Sequence, residues 1–120
     1  MTSRRTNPHD SPRIRVRVLA DSIVAIGPGK ADLLDAIVES GSISAAARAM
    51  RMSYRRAWLL VDTMNVCFRS PLVTTEKGGA EGGGASLTPT GRRVLRAYRE
   101  LAKRVRTEFA PLLRAPTHRR

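Results

Sequence analysis

The chain has 120 residues, 42% of them hydrophobic and only 4% aromatic, and its 22 Lys and Arg against ten acids leave a net charge of +12. That length supports one modest, aliphatic core, and the charge favours a polyanionic partner, nucleic acid ahead of an acidic membrane surface. A lone cysteine, Cys67, excludes an internal disulfide. With no membrane-length apolar run and no apolar leader core, the expectation is a soluble cytoplasmic protein.

Residues 1–12 are polar, with Arg4, Arg5, Asn7, Pro8 and Pro12. They read as a disordered basic arm that frays or reaches into a minor groove. From Arg13 to Val18, Arg13, Arg15 and Arg17 alternate with Ile14, Val16 and Val18, the period of a half-buried strand. Ala20-Asp21-Ser22 can turn it, and Ile23 to Ile26 can return beside it. Gly27-Pro28-Gly29 then breaks the structure. A first helix is expected over residues 30–40, with Leu33, Leu34, Ile37 and Val38 inside and Asp32, Asp35 and Glu39 outside. Gly41 is placed to end it as a left-handed cap.

Residues 41–68, GSISAAARAMRMSYRRAWLLVDTMNVCF, read as two helices joined by a tight turn. Ser42 or Ser44 can cap the first, because a serine oxygen satisfies an amide orphaned at a helix start. Ala45, Ala46 and Ala47 allow close helix approach, Arg51-Met52 makes the turn, and Ser53 caps the second helix. Ala57, Val61, Met64 and Phe68 recur at spacings of three and four as one buried stripe. The first turn presents Tyr54, Arg55 and Arg56 on other sides. Donors and cations at the tip of a helix crossed by a short small-residue helix suit a DNA major groove. An ordinary helical hairpin in a core is the competing reading.

Residues 71–75 and 85–88 read as two strands joined by a loop holding five glycines between Gly78 and Gly84. A hairpin directly after a recognition helix is a wing. The glycine spacing fits no nucleotide-binding fingerprint, but glycines let a backbone come close to a sugar-phosphate edge. Thr88 or Thr90 can cap a last helix, with Pro89 tolerated in its first turn. That helix is expected to run to about Phe109, with Val94, Tyr98, Leu101, Val105 and Phe109 as a stripe long enough to meet a copy of itself. Residues 111–120 read as a basic tail. The fold class is therefore mainly α with small β: a winged helix-turn-helix with an N-terminal β-hairpin and a long C-terminal helix over residues 13–110. Positive charge gathers in the arm and first strand, the recognition helix and the last helix, while the first helix is acidic.

Three pieces carry a family resemblance: GSIS at 41–44, SYRRAW at 53–58 followed by Met64-Asn65, and the glycine-rich loop with Leu87-Thr88 at 78–88. From about Ile14 to Val105 the chain resembles the DNA-binding domain of ModE-type molybdate-responsive repressors, and more distantly the LysR-type helix-turn-helix. The resemblance implies a dimeric regulator acting on double-stranded operator DNA. It implies DNA contacts at Ser42, Ser44, Ser53, Tyr54, Arg55 and Arg56 and in the wing at Lys77, Gly78, Gly79, Gly82, Gly83 and Gly84. ModE-type proteins continue into molybdate-binding domains for which these 120 residues have no counterpart, so neither direct molybdate binding nor any cofactor is expected. The alternative function is a winged-helix module that binds protein or RNA. Catalysis is not expected: His9 and His118 lie in the tails, and no carboxylate pair, metal-spaced cluster or nucleophile elbow occurs.

Overall fold

The computed structural model describes residues 14–77 and 83–114. A hairpin of β1 (Val18–Ala20) and β2 (Ile23–Ile26) leads into three helices, α1 (Pro28–Ser40), α2 (Ile43–Ala49) and α3 (Tyr54–Cys67). A second hairpin, β3 (Val73–Thr75) and β4 (Ala85–Leu87), precedes α4 (Pro89–Phe109), which closes in a 3-10 turn at Ala110–Leu112. Both sheets are two-stranded and antiparallel. This is the winged helix-turn-helix expected from the sequence.

Local chemistry sets most boundaries. Gly41 ends α1 at φ 80°, and its amide donates to the Ile37 carbonyl at 2.8 Å. Ser42 caps α2, its Oγ accepting from the Ala45 amide at 3.0 Å. Ser53 caps α3 in the same way, accepting from the Arg56 amide at 3.0 Å. Between the two helices Arg51 takes φ 58°, a left-handed turn made without glycine. Thr88 caps α4 by accepting from the Gly91 amide at 2.9 Å.

The core lies where α1, α2 and α3 cross. Leu33, Leu34 and Ile37 of α1 and Val61 and Met64 of α3 are fully buried, with Leu72 beneath the wing. Burying each such side chain contributes about 1.5–3 kcal/mol. Ala46, Ala47 and Ala57 are also buried. Their size lets the helices of the pair approach closely, which holds α3 at a fixed angle to the wing.

Three sequence expectations need correction. The strand expected over Arg13–Val18 forms later, at Val18–Ala20. Residues 14–17 do alternate half-buried and exposed but pair with no strand. Pairing is set by the turn: Asp21 takes φ 56°, which aspartate tolerates, and this fixes Ala20 opposite Ile23. Helix α1 begins at Pro28 rather than Lys30, because proline suits the first helical position, where an amide hydrogen has no partner. Val38, expected inside, is 58% exposed, since the partners of α1 cover only the face of Leu33, Leu34 and Ile37. Phe68, the last of the α3 stripe, is half-buried. The arm at 1–12, the end of the basic tail and the loop glycines Gly78, Gly79 and Gly82 lie outside the described residues. Pro111 and Leu112, read as the start of the tail, belong to the closing 3-10 turn.

Helix α4 is held at few points. Gly91, Tyr98 and Ala102 are its buried residues. The Tyr98 hydroxyl donates to the Val16 carbonyl at 2.7 Å, tying the helix to the segment before β1. Burial pushes the Tyr98 phenol above its ordinary value, against the opposing pull of Arg99. Arg99 in turn donates to Asp32 at 3.0 Å and to Asp35, so the acidic face of α1 is paired to α4.

Candidate nucleic-acid interface

Helix α3 and the wing stand side by side. The base of the wing is fixed to the helical body by backbone bonds: the Ala85 amide donates to the Gly41 carbonyl and the Thr88 amide to the Leu72 carbonyl. The Glu76 amide closes the hairpin onto Gly84 at 2.9 Å. A side chain ties the wing to α3 itself. Asn65 Oδ1 accepts from the Leu72 and Val73 amides at 2.8 and 3.1 Å, and its Nδ2 donates to the Val73 carbonyl at 3.2 Å. Sequence reasoning quoted Asn65 only within a family motif. Asn65→Ala is expected to lower stability by about 2 kcal/mol, since two half-buried amides lose their acceptor. Asn65→Asp, which keeps that oxygen, should lose less. Urea unfolding measures both, and an unchanged midpoint for the alanine variant would contradict the assignment.

Between α3, the start of α2 and the wing lies an open cleft of about 350 Å³, lined by Ile43, Ser44, Tyr54, Trp58, Thr75, Glu76, Lys77, Gly83, Gly84 and Ala85. It gathers five of the residues singled out from the sequence: Ser44, Tyr54, Lys77, Gly83 and Gly84. Tyr54 is 55% exposed and meets Trp58 edge to face, ring centres 6.2 Å apart. That pair gives the cleft a stiff aromatic wall. Ser44 Oγ accepts from Arg48 Nη1 at 3.2 Å and remains exposed.

The other expected site residues fall elsewhere. Ser42 and Ser53 spend their hydroxyl oxygens on helix caps. Arg55 is exposed at the α3 tip. Arg56 turns away from the wing and lines a separate cleft with Arg15, Arg17 and Lys30. Of the stripe on α4, Tyr98 is 4% exposed and belongs to the core of its own chain, while Val94 and Val105 are half-buried. Leu101 and Phe109 are 41% and 54% exposed. Leu101 borders an apolar groove with Val18, Ile26, Phe68, Val94, Ala97 and Tyr98. Among the described residues no group of three or more His, Cys, Asp or Glu is placed to hold a metal ion, and no helix is long and apolar enough to cross a membrane.

A winged helix-turn-helix with an exposed, basic second helix defines a class that the comparisons with known proteins narrow. The profile of the bacterial regulatory helix-turn-helix proteins of the lysR family matches residues 30–92. The chain belongs to that family, and its helix-turn-helix is of the ModE type. It is 41% identical over 87 residues to the molybdenum transport protein ModE of Azotobacter vinelandii, covering 72% of this chain and 32% of that one. It is 46% identical over 81 residues to the molybdenum-pterin-binding protein MopB of Rhodobacter capsulatus, covering 68% and 30% of the two chains. The DNA-binding transcriptional dual regulator ModE of Escherichia coli K12 is 41% identical over 76 residues, covering 63% and 29%. The chain thus spans about a third of the length of these relatives. In fold it resembles Streptococcus pneumoniae FabT in complex with DNA, with a TM-score of 0.53 at 12% identity over 74% of this chain and 63% of that one.

Proposed function

We propose that this chain binds operator DNA sequence-specifically, as a transcription regulator of a bacterial cytoplasm and as a homodimer. The observation that carries the reading is the wing cleft: Ser44, Tyr54, Lys77 and two loop glycines sit together beside an exposed helix tip, on a chain of net charge +12. Helix α3 enters the major groove by its first turn, and the wing lies along the adjoining backbone. Arg55, at that tip, is the residue placed to read a base edge. Arg55→Ala is expected to cost about 1–3 kcal/mol on the preferred site and to relax the base preference there. Titrating a duplex selected from a random pool, and a scrambled one, tests it. An equal loss on both duplexes would make Arg55 a phosphate contact, and no loss would remove it from the interface.

The dimer reading rests on α4. Leu101, Phe109, Leu112 and Leu113 are exposed, at 41%, 54%, 76% and 43%, next to the apolar groove that Leu101 borders. A second copy covers that surface most economically, since a symmetric pair buries the same face twice. Molybdate is not a ligand of these residues in this reading. A desolvated oxyanion needs buried donors, and no polar or charged side chain is buried among the described residues. Calorimetric titration with molybdate should therefore give no heat above dilution, and saturable binding at micromolar concentration would contradict it.

A further inference from the structure

Arg15, Arg17, Lys30 and Arg56 come from three separate parts of the chain and line one open cleft of about 360 Å³ together with Gly27, Pro28 and Gly29. No acidic residue lines it. None of the four cations belongs to the described ion pairs, both of which are made by Arg99. Like charges collected around one cleft repel, and a polyanion offsets that repulsion. At Gly29 an added Cβ would meet nothing within 4 Å, so the backbone there is open to a ligand.

The position of the cleft identifies the anion. Tyr54 and Trp58 are four residues apart on α3 and face the wing, while Arg56 and Leu60, also four apart, face the basic cleft. Two residues along an α-helix turn the direction by about 200°, so the two clefts flank α3 on opposite sides. A helix of about 10–12 Å diameter fills a major groove about 12 Å wide and has a phosphate strand on each side.

We infer that the cleft of Arg15, Arg17, Lys30 and Arg56 binds the phosphates of the DNA strand on the side of α3 away from the wing. Arg56 is then a backbone contact that sets the register of the helix, and Arg55 alone of the two reads a base. The inference rests on the proposal that the chain binds DNA, and it extends the footprint to the segment before β1.

The test compares wild type with Arg15→Ala,Arg17→Ala on a duplex selected by wild type from a random pool and on a scrambled duplex, across a salt series. The variant should lose affinity on the order of tenfold on both duplexes, and its plot of log affinity against log salt should be shallower by about 1.8, at about 0.9 per phosphate contact. Ethylating single phosphates should mark a run on the strand away from the wing in wild type and not in the variant. Arg15→Lys,Arg17→Lys, which keeps the charge, should keep the slope, and it carries the test if the alanine pair folds poorly. Wild-type affinity and slope in the alanine variant, or a loss confined to the selected duplex, overturns the inference alone. Failure of wild type to hold any duplex overturns the DNA reading and the inference with it.

Discussion

Gly91→Ala should destabilise the protein by about 3 kcal/mol or more and lower the melting temperature by about 10 °C. Helix propensity alone gives the opposite sign, because alanine is favoured over glycine inside a helix by about 1 kcal/mol. The close approach of α4 to the wing decides the outcome. A Cβ at Gly91 would lie 2.1 Å from the Leu72 carbonyl oxygen and 3.0 Å from its carbon, both backbone atoms that cannot rotate away. That same carbonyl accepts from the Thr88 amide at 2.9 Å, and Thr88 Oγ1 donates to the Pro71 carbonyl at 2.7 Å. Making room at residue 91 therefore pries the α4 cap from β3 and loosens the strand that Asn65 holds. Thermal unfolding by circular dichroism measures it. A melting temperature equal to or above that of wild type would show that α4 does not dock as described.

Leu101→Asp should leave the chain folded and convert it from dimer to monomer, with operator affinity falling on the order of 100-fold as the second half-site is lost. Leu101 is 41% exposed, so the charge is hydrated in the monomer and is desolvated only across an apolar seam. The flanks of α4 carry Arg92, Arg93, Arg96, Lys103, Arg104 and Arg106, which repel across a symmetric pair, while Arg99 is already paired with Asp32 and Asp35. Wild-type association should consequently tighten with added salt as DNA binding weakens. Sedimentation at tens of micromolar distinguishes the two states. A wild type that is monomeric in moderate salt, or a variant that dimerises equally well, would remove the α4 seam from the proposal.

What the sequence revealed was chiefly local. The caps at Ser42, Ser53 and Thr88 and the left-handed Gly41 are decided within a turn or two of chain, and each forms as its residue type and spacing imply. The alternation at residues 14–17 does reflect burial, but a strand also needs a partner in register, and the turn at Asp21 gives that partnership to residues 18–20. Longer-range roles were hidden. Tyr98 fits an apolar stripe by spacing, yet its hydroxyl bonds a carbonyl 82 residues away, and nothing in a helical period signals that. Gly91 reads as a weak residue in a helix, whereas its missing side chain admits the Leu72 backbone. Arg55 and Arg56 are neighbours in sequence, and the helical turn of about 100° between them sends them to different surroundings. The wing cleft was legible because serine, tyrosine, lysine and glycine were grouped by motif; Trp58 and Ile43 complete its wall from positions that read only as apolar.

Sequence-specific DNA binding by this chain is tested most directly by mobility shift of genomic fragments in the presence of heparin, followed by sequencing of the retained fragments. The chain should retain a small set of fragments sharing an inverted repeat, with half-sites about one helical turn or a multiple of it apart. Complete displacement by heparin, or retention of fragments with no common sequence, would contradict it.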